Sequence, residues 1–165
     1  MKTILFALFF FISQVAFAEN AGTQFIASLK ALETMDWNVV KTSMQDAYAD
    51  NVEFNDPLFH KHNLAELMAL YKEMLEGAKE IHVSVIQENV PEVPNELDFD
   101  VTLEYTLKLG VKITIKDAKV HIKFNNEDKI FDRKDTWGLL NLRISFPNCP
   151  PSSDGITQCS NLIRG

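Results

Sequence analysis

From Leu97 to Leu109 every second residue is apolar: Leu97, Phe99, Val101, Leu103, Tyr105, Leu107 and Leu109, with Asp, Thr, Glu and Lys between them. Such an alternation puts one set of side chains on each face of an extended chain, so this segment is a long strand with one wet face and one buried face. A strand of this kind requires neighbours in a sheet and something apolar covering its dry side.

The covering layer is encoded first. Phe25, Ile26, Leu29 and Leu32 have helical spacing over Gln24 to Leu32, and Asp36 is positioned as the N-cap of a second helix whose stripe is Trp37, Val40, Met44 and Tyr48. Asn63 caps a third helix carrying Leu64, Leu67, Met68, Tyr71 and Leu75, and Gly77 ends it. After Gly77 the period becomes two. Ile81, Val83 and Val85 alternate with His82 and Ser84, and the break at Val85-Ile86 predicts a bulge.

Beyond the turn at Gly110, Val111, Ile113 and Ile115 keep one phase, whereas Ala118, Val120, Ile122 and Phe124 take the other, which predicts a second bulge near Asp117. Asn125 to Asp128 reads as a hairpin turn leading to a last strand from Lys129 to Leu142. The expected fold class is α+β: three N-terminal helices packed on a strongly curved antiparallel sheet.

The first eighteen residues stand outside that scheme. Lys2, the apolar run Ile4 to Ile12 and Ala16-Phe17-Ala18 have the charge, core and small-residue cleavage site of a secretory signal peptide. The run is far short of the roughly 20 residues that span a bilayer, so residues 1–18 are expected to be removed, leaving no membrane insertion and a secreted or periplasmic protein. Residues 19–145 then form one domain, and 146–165 a tail rich in Pro, Ser, Asn and Gly. Cys149 and Cys159 are the only cysteines, and behind an export signal they most simply form one disulfide.

The net charge of −7 argues against a nucleic-acid surface, which requires clustered Lys and Arg. Lys112, Lys116, Lys119 and Lys123 read as a solvated outer sheet face. His60-x-His62 is read as ordinary loop histidines with no metal, since two ligands need further partners, and His82 and His121 as exposed sheet residues. No cofactor is expected.

The helix order, the run Tyr48-Ala49-Asp50-Asn51-Val52-Glu53-Phe54-Asn55-Asp56-Pro57, the helix from Asn63 and the strand Lys129-Ile130-Phe131-Asp132-Arg133-Lys134-Asp135-Thr136-Trp137-Gly138-Leu139 together resemble the nuclear transport factor 2-like superfamily. Its SnoaL-like cyclases, ketosteroid isomerases and limonene-epoxide hydrolases are relatives of one another. The resemblance covers residues 23–142 and implies a cone with a mostly apolar cavity.

On the isomerase pattern Asp56 stands where the base is, while Leu32 and Val120 stand where the two oxyanion donors are. On the epoxide-hydrolase pattern Asp135 falls on a catalytic acid, Glu104 on the second acid and Thr102 on the arginine. Asp56 and Asp135 are thus the candidate general bases. Arg133, Glu104, Phe54, Phe59, Tyr71, Phe131 and Trp137 are candidate ligand-binding residues, with Phe131, Arg133, Asp135 and Trp137 expected on one strand face. Asp56 before Pro57 also fits a turn-bracing residue, and Arg133 with Asp135 a structural ion pair.

Three functions stay open. The first is binding of a small apolar or amphipathic molecule in the cone. The second is isomerase, cyclase or epoxide-hydrolase-like catalysis through Asp56 or Asp135. The third is a non-catalytic module, a homodimer through the open sheet face.

Overall fold

The computed structural model describes residues 20–88, 93 and 95–147. The signal sequence, Cys149 and Cys159 lie outside these residues. Helix α1 (20–30) tightens into a 3-10 turn at Ala31–Thr34, and α2 is Trp37–Ala47. Strands β1 (Tyr48–Asn55) and β2 (His60–Lys61) precede α3 (Leu64–Gly77). Strands β3 (Ala78–Glu88), β4 (Glu96–Leu107), β5 (Lys112–Phe124), β6 (Ile130–Thr136) and β7 (Leu142–Ser145) complete the described chain.

The helix starts form as the sequence predicts. Asp36 Oδ1 accepts from Asn38 N at 2.8 Å, and Asn63 Oδ1 accepts from Glu66 N at 2.9 Å, each satisfying an amide that the first helical turn leaves open. Glu66 reaches back to the His62 amide at 3.1 Å, so the α3 start is closed from both sides. Tyr48, expected at the end of α2, instead opens β1 and is buried.

The seven-stranded sheet runs β2-β1-β6-β5-β4-β3, with β7 also paired to β5. It is mixed, not purely antiparallel: β1 and β6 are parallel, and the other pairs are antiparallel. Phase slips in the sequence mark some of its bends. Val101 opposes Ala118 but Leu103 opposes Ile115, so β5 carries an extra residue at the expected place, with Asp117 at φ 53°. Asp117 N donates to Thr102 Oγ1 at 3.1 Å, which ties the bulge to β4.

The other expected bulge is absent. Register between β3 and β4 is continuous from Glu80 to Glu88, and Ile86 merely points outward, 65% exposed. The last strand is also broken in two. It stops at Thr136, and a turn held by Asn141 N to Gly138 O (2.9 Å) carries the chain past the β5 bulge to β7. Asn141 secures that detour by exchanging bonds with Lys116, its backbone carbonyl accepting from the Lys116 amide and its side-chain Nδ2 donating to the Lys116 carbonyl, both at 2.8 Å.

The dry face of β4 changes role along its length. Leu97 and Phe99 are buried in the core, where Phe99 meets Phe25 of α1 at 4.7 Å between ring centroids, whereas Leu103, Tyr105 and Leu107 are half-buried. Helices therefore fill one end of the curved sheet and leave the other open. On the wet face, Lys112, Lys119 and Lys123 pair with Glu104, Asp100 and Glu96 at 2.5, 2.7 and 3.0 Å, making a cross-strand charge ladder.

A candidate ligand site at the open end of the cone

The open end is a cavity of about 340 Å³. Its walls are aliphatic and aromatic, from Leu70 and Met74 of α3, Val101, Leu103 and Tyr105 of β4, and Ile115 of β5. Trp137, just past β6, closes one side. Its polar lining comprises Glu73 of α3, and Asp56, Tyr71, Arg133 and Asp135, of which the last three are joined by hydrogen bonds through Arg133.

Arg133 is the centre of that polar group. It pairs with Phe54 on β1 and Ile122 on β5, both buried, and so faces inward from a central strand with only 4% exposure. A buried guanidinium is tolerated only if its donors are used. Nε and Nη2 donate to Asp135 Oδ1 and Oδ2 at 2.8 and 2.5 Å, a bidentate pair. Nη1 donates to Tyr48 Oη at 2.9 Å and Tyr71 Oη at 2.7 Å. The rings of Phe54 and Phe25 lie 5.0 and 5.2 Å from the guanidinium carbon.

These contacts decide what each group can do. Arg133 spends four donor bonds on the protein, so it positions its neighbours more than it offers a charge to a ligand. Burial pushes the Asp135 carboxyl above its ordinary range, against the pull of Arg133, and the nearby Asp56 charge adds to the rise. Burial also drives the Tyr71 phenol well above its usual value, so it stays protonated. Since Tyr71 Oη accepts from Arg133, its own proton is directed to another acceptor, and the cavity lies beside it.

Asp56 lies at the cavity rim in a turn. Its Oδ1 accepts from the amides of Leu58 and Phe59, both at 2.6 Å, and its own amide donates to Phe59 O at 2.9 Å. It is therefore a turn brace and a cavity residue together. Among the described residues its Oδ2 has no hydrogen-bond partner. Phe59 and Leu58 form the outer lip, 42% and 67% exposed.

The structure thus brings together Asp56, Asp135, Arg133, Phe54, Phe59, Tyr71 and Trp137. It does not bring in Phe131 or Glu104. Ile130 opposes Phe124 while Asp132 opposes Lys123, so Phe131 is an extra residue in β6. The inward phase passes from Ile130 to Arg133, and Phe131 is turned outward at 38% exposure. Glu104 lies on the wet face of β4 with Lys112. Leu32 and Val120, the positions matching isomerase donors, line the cavity without a polar group.

Tyr48 was not a sequence candidate for the site, because its spacing continues the α2 stripe. The histidine pair also differs from expectation. His60 lies in β2 rather than a loop, and Glu53 of β1 joins the pair.

No protein-family model matches the sequence, and no curated protein matches it either. Solved structures do match the fold. An NTF2-like protein of unknown function from Exiguobacterium sp. 255-15 superposes with TM-score 0.61 at 10% identity, covering 70% of this chain and 98% of that one. A Δ5-3-ketosteroid isomerase from Mycobacterium sp. gives 0.59 at 14% identity, covering 76% and 98%. A Mycobacterium tuberculosis protein in complex with estradiol-17β-hemisuccinate gives 0.59 at 14% identity, covering 74% and 97%. The fold is NTF2-like and α+β, as the sequence resemblance implies.

Proposed function

We propose that the protein binds a small, largely apolar molecule carrying one hydrogen-bond acceptor, held in the cone with that acceptor on the Tyr71 hydroxyl. The observation that carries this reading is the mostly apolar cavity of about 340 Å³ whose lining includes the hydrogen-bonded Tyr71, Arg133 and Asp135. That volume is at the small end of the range of about 300–1,000 Å³ for ligand pockets. The neighbour that holds a steroid ester is consistent with an apolar occupant.

Native mass spectrometry of the chain purified without detergent tests it. A retained small molecule, or uptake of added estradiol-17β-hemisuccinate, is the expected result. Replacing Tyr71 by Phe removes the ligand's hydrogen bond, of about 0.5–1.5 kcal/mol, along with the one from Arg133, and is expected to weaken uptake by at least roughly two- to tenfold. An empty cone that refuses every apolar probe would end this reading.

The same spectrum reports on the ends of the chain. We infer an exported protein beginning at Glu19, with Cys149 joined to Cys159; both rest on the sequence pattern. The mass of the mature chain, before and after reduction, reads both.

A second reading has its own observation, the uncommitted Oδ2 of Asp56 in a cavity that a protonated Tyr71 also lines. In this reading Asp56 takes a proton from a carbon beside a carbonyl and returns it elsewhere, while Tyr71 donates to the enolate oxygen. Asp56→Asn keeps a side-chain oxygen for the turn and removes the base. A Δ5-3-ketosteroid, followed by the ultraviolet absorbance of the conjugated product, is the assay. Turnover should fall at least about 100-fold in Asp56→Asn, and a wild-type chain without turnover leaves the binding reading alone.

A further inference from the structure

We propose a divalent transition-metal site of the zinc class on the outer face of the β1-β2 ribbon, formed by Glu53, His60 and His62. The pairing of the two strands makes it. Phe54 opposes Lys61 and Asn55 opposes His60, so Glu53 and His62 face each other across the ribbon. His60 and His62, two residues apart, then project from the same side as Glu53.

The ring nitrogens converge on one carboxylate oxygen. Glu53 Oε2 lies 3.0 Å from His62 Nδ1 and 3.4 Å from His60 Nε2. Ligand atoms about 2.0–2.1 Å from a tetrahedral zinc ion are separated by roughly 3.3 Å; the His60 edge has that length, and the His62 edge, now a hydrogen bond, needs to open only slightly. One ligand atom from each residue lies within 4.8 Å of the others, and the imidazole centroids are 4.3 Å apart. Two imidazoles and one carboxylate are a donor set suited to zinc and its neighbours rather than to calcium or magnesium.

The surroundings bear on strength. All three side chains are about half exposed, at 48, 54 and 62%, so an ion here keeps water in its remaining positions and exchanges with solvent. Asp132 opposes Glu53 on β6 and adds negative charge beside the site, whereas Lys61 lies between the two histidines. The other two histidines lack this geometry. His121 directs its two nitrogens at different carboxylates, Asp98 at 2.8 Å and Glu96 at 3.4 Å, and His82 pairs with Glu80 at 2.9 Å.

Titration of the full mature chain with zinc chloride, followed by calorimetry and native mass spectrometry, tests the proposal. One zinc per chain is expected. Loss of an outer-shell partner alone costs about 10–100-fold in metal affinity, so His60→Gln, His62→Gln and Glu53→Gln should each lose at least tenfold. These are surface changes, and circular dichroism confirms that each variant is folded. The H82Q/H121Q chain should bind as the wild type does. A wild-type chain that takes up no zinc at millimolar concentration overturns the proposal. So does an H60Q/H62Q chain with unchanged affinity, which would place the metal elsewhere, for instance on the tail cysteines.

Discussion

Arg133→Leu is expected to destabilise the fold by about 3–5 kcal/mol, because it leaves a buried carboxylate without its counter-ion. Asp135 would keep its burial and lose both bidentate bonds, and the hydroxyls of Tyr48 and Tyr71 would lose their shared donor. Urea denaturation measures this directly. Arg133→Leu/Asp135→Leu removes both charges and should recover most of the loss, since a buried ion pair replaced by apolar groups of similar size is often close to neutral.

The single variant also has a signed pH dependence. With Arg133 gone, nothing opposes the upward push of burial on Asp135. A folded-state pKa above the unfolded value means that the folded chain holds more protons through that window, so stability falls as pH rises across it. The gap between Arg133→Leu and wild type should therefore narrow as pH is lowered toward the ordinary carboxylate range. A loss below about 1 kcal/mol at neutral pH, or a gap that widens on acidification, would contradict the buried-pair account.

Phe25→Ala is expected to cost a further large amount, about 3–5 kcal/mol for the truncated ring and the void it leaves. Phe25 is fully buried, meets Phe99 at 4.7 Å between centroids and lies beneath the Arg133 guanidinium at 5.2 Å. It is the side chain by which α1 reaches both the core and the polar centre. Phe25→Leu retains most of the volume and should lose much less, so the difference between the two variants isolates the void. A change of the denaturation midpoint worth under about 1 kcal/mol in Phe25→Ala would mean that α1 is not part of the cooperative core.

Local chemistry made much of this fold legible in advance. Asp36 and Asn63 act through amides two and three residues away, and the phase reversal before Ala118 is visible in the sequence itself. What was hidden depends on strands meeting from far apart. The parallel pairing of β1 with β6 leaves no local trace, and β2, two residues long, is too short for any period.

The extra residue at Phe131 was masked because Phe131, Arg133, Asp135 and Trp137 alternate without a fault on paper. That one slip moved Phe131 off the site and let Ile130 and Arg133 share the interior. Tyr48 was hidden for the opposite reason. Its helical spacing from Met44 was real, but the chain had already become a strand. In the site, Arg133, Asp135, Tyr71 and Asp56 were identifiable as residue types in place, whereas the division of labour among them needed the hydrogen bonds.

The Arg133 centre has one more consequence, for the order in which the molecule becomes competent. Asp135 is two residues from Arg133, but Tyr71 is 62 and Tyr48 is 85 residues away along the chain. Closing such long loops carries an entropic cost that the neighbouring hairpins β3-β4 and β4-β5 avoid. No fragment lacking either β1 or β6 can contain the complete cluster. If the cone binds as proposed, a probe that requires Tyr71 held against Arg133 would report that β1, α3 and β6 have all come together.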